Sequence, residues 1–168
     1  MLIIKDKEKI NGISLEKYAE LLVKTIGVEE DEAPYKSIIE KEGFTMENWM
    51  IAKKEWSSRM SDPADNGKTT KLFLPLYQTA IERKYSEKEP CSIETFTKIH
   101  CEITFRRDPE DHTKKINYEI ILKEHKLTVA RWGLYNSFWM PRIATPEYSD
   151  KFAELVQKNA EKILGIYD

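Results

Sequence analysis

Apolar residues recur along this chain at the spacing of helix faces and almost nowhere in the alternation of a strand. After Gly12, the stretch opened by Ser14-Leu-Glu-Lys puts Leu15, Tyr18, Ala19 and Leu22 on one side of a helix. Thr45-Met-Glu-Asn opens a second strong stretch. In it Trp49 and Trp56 lie two helical turns apart, and Met60 extends the stripe by one more turn. Ser92-Ile-Glu-Thr and Thr128-Val-Ala-Arg repeat these openings, and Trp132, Trp139 and Ile143 repeat the stripe. A Ser or Thr oxygen at such a start accepts a hydrogen bond from an otherwise orphaned amide of the first turn. The pattern predicts helices near 14–25, 33–42, 45–60 and 68–85, then near 92–105, 115–125, 128–143 and 147–164.

The repetition extends to residue identities. Without gaps, Tyr35 to Pro63 aligns on Tyr118 to Pro146 at an offset of 118 − 35 = 83 residues. Tyr35 falls on Tyr118, Ile38 on Ile121, Thr45 on Thr128, Trp49 on Trp132, Trp56 on Trp139, Arg59 on Arg142 and Pro63 on Pro146. Two tryptophan pairs in one register are hard to produce by chance, and self-similarity of this kind marks an array of one supersecondary unit. Ser92 follows Ser14 by only 92 − 14 = 78 residues, so the second copy carries 83 − 78 = 5 extra residues, in RRDPEDHTKK. Extra length in a surface loop costs little. The predicted fold is therefore all-α: two tandem, divergent four-helix repeats, residues 1–85 and 91–168, packed into one compact helical domain with a shared core. Pro75 falls inside the fourth predicted helix and Pro146 just before the eighth, while Pro141 is expected to distort the last turn of the seventh.

Trp49, Trp56, Trp132 and Trp139 are read as core, because large aromatic side chains dominate helical packing and a helical stripe needs no ligand to explain it. Arg59 and Arg142 each follow the second tryptophan by three residues. They are expected to stack on a ring or to cap carbonyls at a helix end.

These same elements carry a resemblance. Ser14-Leu-Glu-Lys-Tyr-Ala19, Gly43 and the W-x6-W-x2-R-M run from Trp49 to Met60 resemble a bacterial domain family of unknown function. The likeness covers about the first half of the chain. It persists in the second as Ser92-Ile-Glu-Thr-Phe and Trp132 to Ile143, without the Ala and with Ile in place of Met. The resemblance implies an all-helical bacterial protein and implies no activity.

Composition narrows the function classes. The 27 basic and 29 acidic side chains leave a net charge of −2, too balanced for binding to a nucleic-acid backbone to be expected. No apolar run reaches the roughly 20 residues of a membrane span, and the opening MLIIKDKEKING lacks the pattern of a leader peptide. Cys91 and Cys101 make no disulfide framework, so a reducing cytoplasmic setting is expected. His100, His112, His125 and the two cysteines match no metal-ligand spacing, and no phosphate-binding, dinucleotide or nucleophile motif occurs. No catalytic residue, cofactor or metal is therefore expected. The expected function is non-enzymatic: an adaptor, or an inhibitor of the immunity type, whose partner is another protein. The rival is a small enzyme or ligand-binding protein with a pocket at the seam between the repeats. Partner contact is expected where the copies differ, in the loops Ser61 to Lys71 and Arg106 to Lys115 and in the fourth helices, with Asp62, Asp65, Arg106, Arg107, Asp108, Asp111 and His112 as candidates.

Overall fold

The structure, a computed structural model, describes residues 8–165. MLIIKDK, on which part of the leader reading falls, and the final three residues lie outside the described residues. The chain divides into two compact units, with the boundary between Ser86 and Glu87. Each is mostly helical.

The first unit opens on a feature the all-α expectation lacked. Strands β1 (Lys9–Ile10) and β2 (Ile13–Ser14) pair antiparallel, Lys9 opposite Ser14 and Ile10 opposite Ile13. Asn11 and Gly12 form the turn at φ 47° and 82°. Two successive positive φ values are the requirement of a tight primed hairpin turn, which Asn-Gly meets with little strain. Four helices follow: α1 (Leu15–Thr25), α2 (Glu32–Lys41), α3 (Met46–Ser61) and α4 (Lys68–Lys84). Ser14 Oγ accepts from the Lys17 amide and Thr45 Oγ1 from the Asn48 amide, each at 3.1 Å, so both predicted caps are made. Helix α4 runs through Pro75. The core gathers Ile13, Leu15, Tyr18, Leu21, Tyr35, Ile39, Trp49, Ala52 and Trp56. The hairpin's purpose is visible here: the Trp56 indole N–H donates to the Ile13 carbonyl at 3.2 Å, satisfying a donor that burial would otherwise strand.

The second unit contains α5 (Ile93–Phe105), α6 (Tyr118–Glu124), α7 (Val129–Ile143) and α8 (Ser149–Leu164). Ser92 and Thr128 cap α5 and α7 through the amides of Thr95 and Arg131. Phe96 forms the centre of an aromatic cluster, with Trp132, Trp139 and Phe152 at centroid distances of 5.4, 6.3 and 6.4 Å. The Trp139 indole donates to the Cys91 carbonyl at 3.1 Å. Helix α7 continues through Pro141 to Ile143, and Arg142 Nη1 reaches back to the Phe138 carbonyl at 2.7 Å.

Tyr35 and Tyr118, which the 83-residue register aligns, have different surroundings. Tyr35 is buried and its hydroxyl accepts from the Trp49 indole at 2.6 Å, whereas Tyr118 is 41% exposed. The cause is helix length. Tyr35 is the fourth residue of the ten-residue α2, while Tyr118 is the first of the seven-residue α6. The residues just before Tyr118 belong to the loop that closes at the Arg107–Lys115 bridge, not to a helical turn. That helix accordingly begins at Tyr118 rather than at the predicted 115, and α8 begins at Ser149 rather than 147.

Candidate functional site

The loop Arg106 to Lys115 of the second unit is a closed hairpin. Arg107 and Lys115 form an antiparallel bridge, and the Asp108 amide donates to the Lys114 carbonyl at 2.9 Å. Polar side chains in so short a loop turn inward to serve its own amides. Asp108 Oδ1 accepts from the amides of Glu110 (2.8 Å) and Asp111 (3.3 Å). Asp111 Oδ1 accepts from the Thr113 amide and hydroxyl, and Asp111 also pairs with Lys114 at 2.9 Å. The Thr113 and Lys114 hydrogen bonds hold the Asp111 carboxyl below the usual range.

Arg106, one of the candidates, is held by ion pairs rather than free in solvent. It caps α5, is 27% exposed at its side chain, and grips Glu124 of α6 with both terminal nitrogens, at 2.5 and 3.2 Å. It also reaches Glu102 at 3.4 Å, and Glu102 Oε2 accepts from His125 Nε2 at 2.9 Å. The Arg106 bond pulls the Glu124 carboxyl below its usual range. Beside this clamp a cleft of about 560 Å³ is lined by Arg106, Arg107, Asp108, Pro109, Glu110, His112, Ile116, Ile120 and Glu124.

The other predicted loop is also bonded internally. Asp62 Oδ1 accepts from the Ala64 amide at 2.8 Å, starting a 3-10 turn over Pro63–Asp65. Asp65 accepts from the Thr69 amide at 2.7 Å and its hydroxyl at 3.0 Å, supplying α4 with the cap that Gly67 cannot. Thus of the seven candidates, Asp62, Asp65, Asp108 and Asp111 hold turns, Arg106 joins two helices, and Arg106, Arg107, Asp108 and His112 share one cleft wall.

The four tryptophans are buried, none more than 9% exposed. The Arg59 guanidinium lies 5.0 Å above the Trp56 ring and that of Arg142 lies 3.7 Å from the Phe138 ring. His100 packs between Phe96 and Phe152, and burial pushes its pKa down. Cys101 is buried with its thiol 3.9 Å from the Val156 carbonyl, and burial pushes the Cys91 thiol up to about 11. Neither thiol has the lowered pKa of a nucleophile at neutral pH. Among the described residues no cluster of three or more His, Cys, Asp or Glu side chains could hold a metal ion, and no helix is long and apolar enough to cross a membrane.

A second cleft, of about 470 Å³, belongs to the first unit and escaped the sequence reading. Its walls are the last turns of α1, α2 and α4, bearing Lys24, Lys41, Arg83 and Lys84. Basic residues at helix C-termini are commonplace, because they complement the negative end of the helix dipole. Nothing in their spacing says that three such ends meet.

Compared with known proteins, the chain matches no family model, no curated protein and no solved structure.

Proposed function

We propose that this chain is a non-enzymatic protein-interaction module, an adaptor or an inhibitor of the immunity type, built from two divergent copies of one four-helix unit. The observation that carries the interaction reading is the pre-ordered hairpin of residues 106–116. Its Asp108 and Asp111 carboxylates hold its own turns, and Arg106 ties it to α6. Ordering a loop before contact removes part of the entropic cost of binding. Next to it stand Tyr118 and Ile120, 41% and 48% exposed, the kind of side chains that anchor protein interfaces. The non-enzymatic part is supported by the environments of the reactive groups: His100 faces aromatic rings, Cys101 is buried, and His125 is paired with Glu102.

What supports the duplication is the recurrence of unusual bonds at matching positions. Each unit donates an indole N–H from α3 or α7 to the carbonyl just before the Ser that caps its first helix, Ile13 in one case and Cys91 in the other. The resemblance and the two cysteines, which form no disulfide, support a bacterial, cytoplasmic setting for such a module.

The test is site-specific photo-crosslinking in the cell of origin. A photoreactive residue at His112 or Ile120 should give one discrete protein adduct, and the same residue at Glu154 on α8 should give none. Equal labelling at all three positions, or no protein adduct, would sink the reading.

A further inference from the structure

The cleft of the first unit has an apolar floor and a cationic rim. Val23 and Ala80 are buried and Ile38 is half-buried, whereas Lys24, Lys41, Arg83 and Lys84 stand around them in solvent. Two carboxylates sit lower and brace the rim. Glu20 holds Lys17 and Arg83, each at 2.7 Å, and Glu42 holds Lys17 at 3.3 Å together with Lys24. The side chains of Glu20 and Glu42 are 18% and 24% exposed, against 43% for Lys24 and 65% for Arg83. Hydrogen bonds from Lys17 to Glu20 and from Lys24 to Glu42 hold both carboxyls below the usual range. Lys84 Nζ donates to the Val23 carbonyl at 2.6 Å, at the open end of α1.

The charge balance favours an anion. Among the residues lining the cleft, Lys24, Lys41, Arg83 and Lys84 against Glu20 and Glu42 give 4 − 2 = +2, within a chain whose net charge is −2. Three helix C-termini offset this by about −1.5 in all, which leaves the cleft positive. The carboxylates already have their cations, so an incoming anion meets a rim held in place.

We propose that this cleft seats an acidic segment of a partner protein, with one apolar side chain on Val23, Ile38 and Ala80 and flanking carboxylates on the rim cations. The proposal rests on the interaction-module reading only in taking a protein as the source of that segment. The rim is open to solvent, which suits one anchored side chain better than a small molecule, since small-molecule sites enclose most of their ligand. The lining has no aromatic ring on which a nucleic-acid base could stack.

The experiment is an amide chemical-shift titration of the full chain labelled with nitrogen-15. The probe is the blocked peptide Glu-Glu-Leu-Glu-Glu, run against Glu-Glu-Ser-Glu-Glu, Lys-Lys-Leu-Lys-Lys and inorganic phosphate. The acidic leucine peptide should give saturable shifts confined to residues 20–24, 38–42 and 80–85. Lys41 forms no ion pair among the described residues, so Lys41→Glu should keep the fold. That variant, and separately the serine peptide, should bind about tenfold more weakly, with the charge contribution fading as salt rises. Absence of saturable shifts would overturn the proposal. So would phosphate reproducing the same shifts without regard to Lys41, which would mean simple ion association. Shifts centred on residues 106–120 would overturn this site while leaving the interaction module standing. Peptide binding here with no crosslink at the hairpin would support this cleft and remove the hairpin as the seat of partner contact.

Discussion

Trp49 and Trp132 share a place in the 83-residue register, yet they should respond differently to the same substitution. Trp49 is fully buried, and its indole donates to the equally inaccessible Tyr35 hydroxyl at 2.6 Å. Trp132 stacks on Phe96 at 5.4 Å, and no hydrogen bond to its indole exists among the described residues. Replacing either with Phe removes roughly 40 Å² of apolar surface, or about 1 kcal/mol. Trp49→Phe also deletes a buried hydrogen bond, a further ~0.5–1.5 kcal/mol. It leaves the Tyr35 hydroxyl with only Lys53 Nζ, at 3.5 Å. Trp49→Phe should therefore cost about 2 kcal/mol and Trp132→Phe about 1 kcal/mol. Urea unfolding of the intact chain measures both. The sharper assay is a double-mutant cycle of Trp49→Phe with Tyr35→Phe, for which a coupling of about 1 kcal/mol is expected. Effects that add to within about 0.3 kcal/mol would refute the reasoning. The corresponding cycle of Trp132→Phe with Tyr118→Phe should show no coupling.

Two further outcomes follow from single residues. Lys126 sits at φ 55°, where the register places Gly43 at φ 84°, so Lys126→Gly should raise the urea midpoint, by up to about 1 kcal/mol of stability; a lowered midpoint would contradict the left-handed backbone there. Burial lowers the His100 pKa, so below about pH 6.5 the unfolded chain takes up a proton that the folded unit resists. Stability due to this group is complete above that pH and is lost as pH falls toward the lowered folded value. The acid decline should be smaller in His100→Phe, and superimposable profiles for the two proteins would exclude the effect.

Eight helix positions, four capping residues and the buried tryptophan stripe are legible in the chain because each depends on neighbours within about four residues. A Ser14 oxygen three residues from the Lys17 amide, or rings two turns apart, needs no tertiary knowledge. The Asn11-Gly12 hairpin is equally local, but its signal is a turn pair and not a helix period. The roles of Arg106, Asp65 and Asp108 were harder to see, since a charged loop residue looks the same whether it meets solvent or a backbone amide.

Local chemistry thus determines where helices start, where they stop and which face each must bury. The tertiary structure alone decided what lies opposite those faces. It buried Tyr35 within α2 and exposed Tyr118 at the start of α6, and it aimed Trp56 at the Ile13 carbonyl 43 residues away. It also brought the basic ends of α1, α2 and α4 around one apolar floor. The physical reason is range. Helix propensity and capping act along the chain within a turn or two, whereas a cleft's charge and shape come from helices that meet only after their apolar faces have been packed.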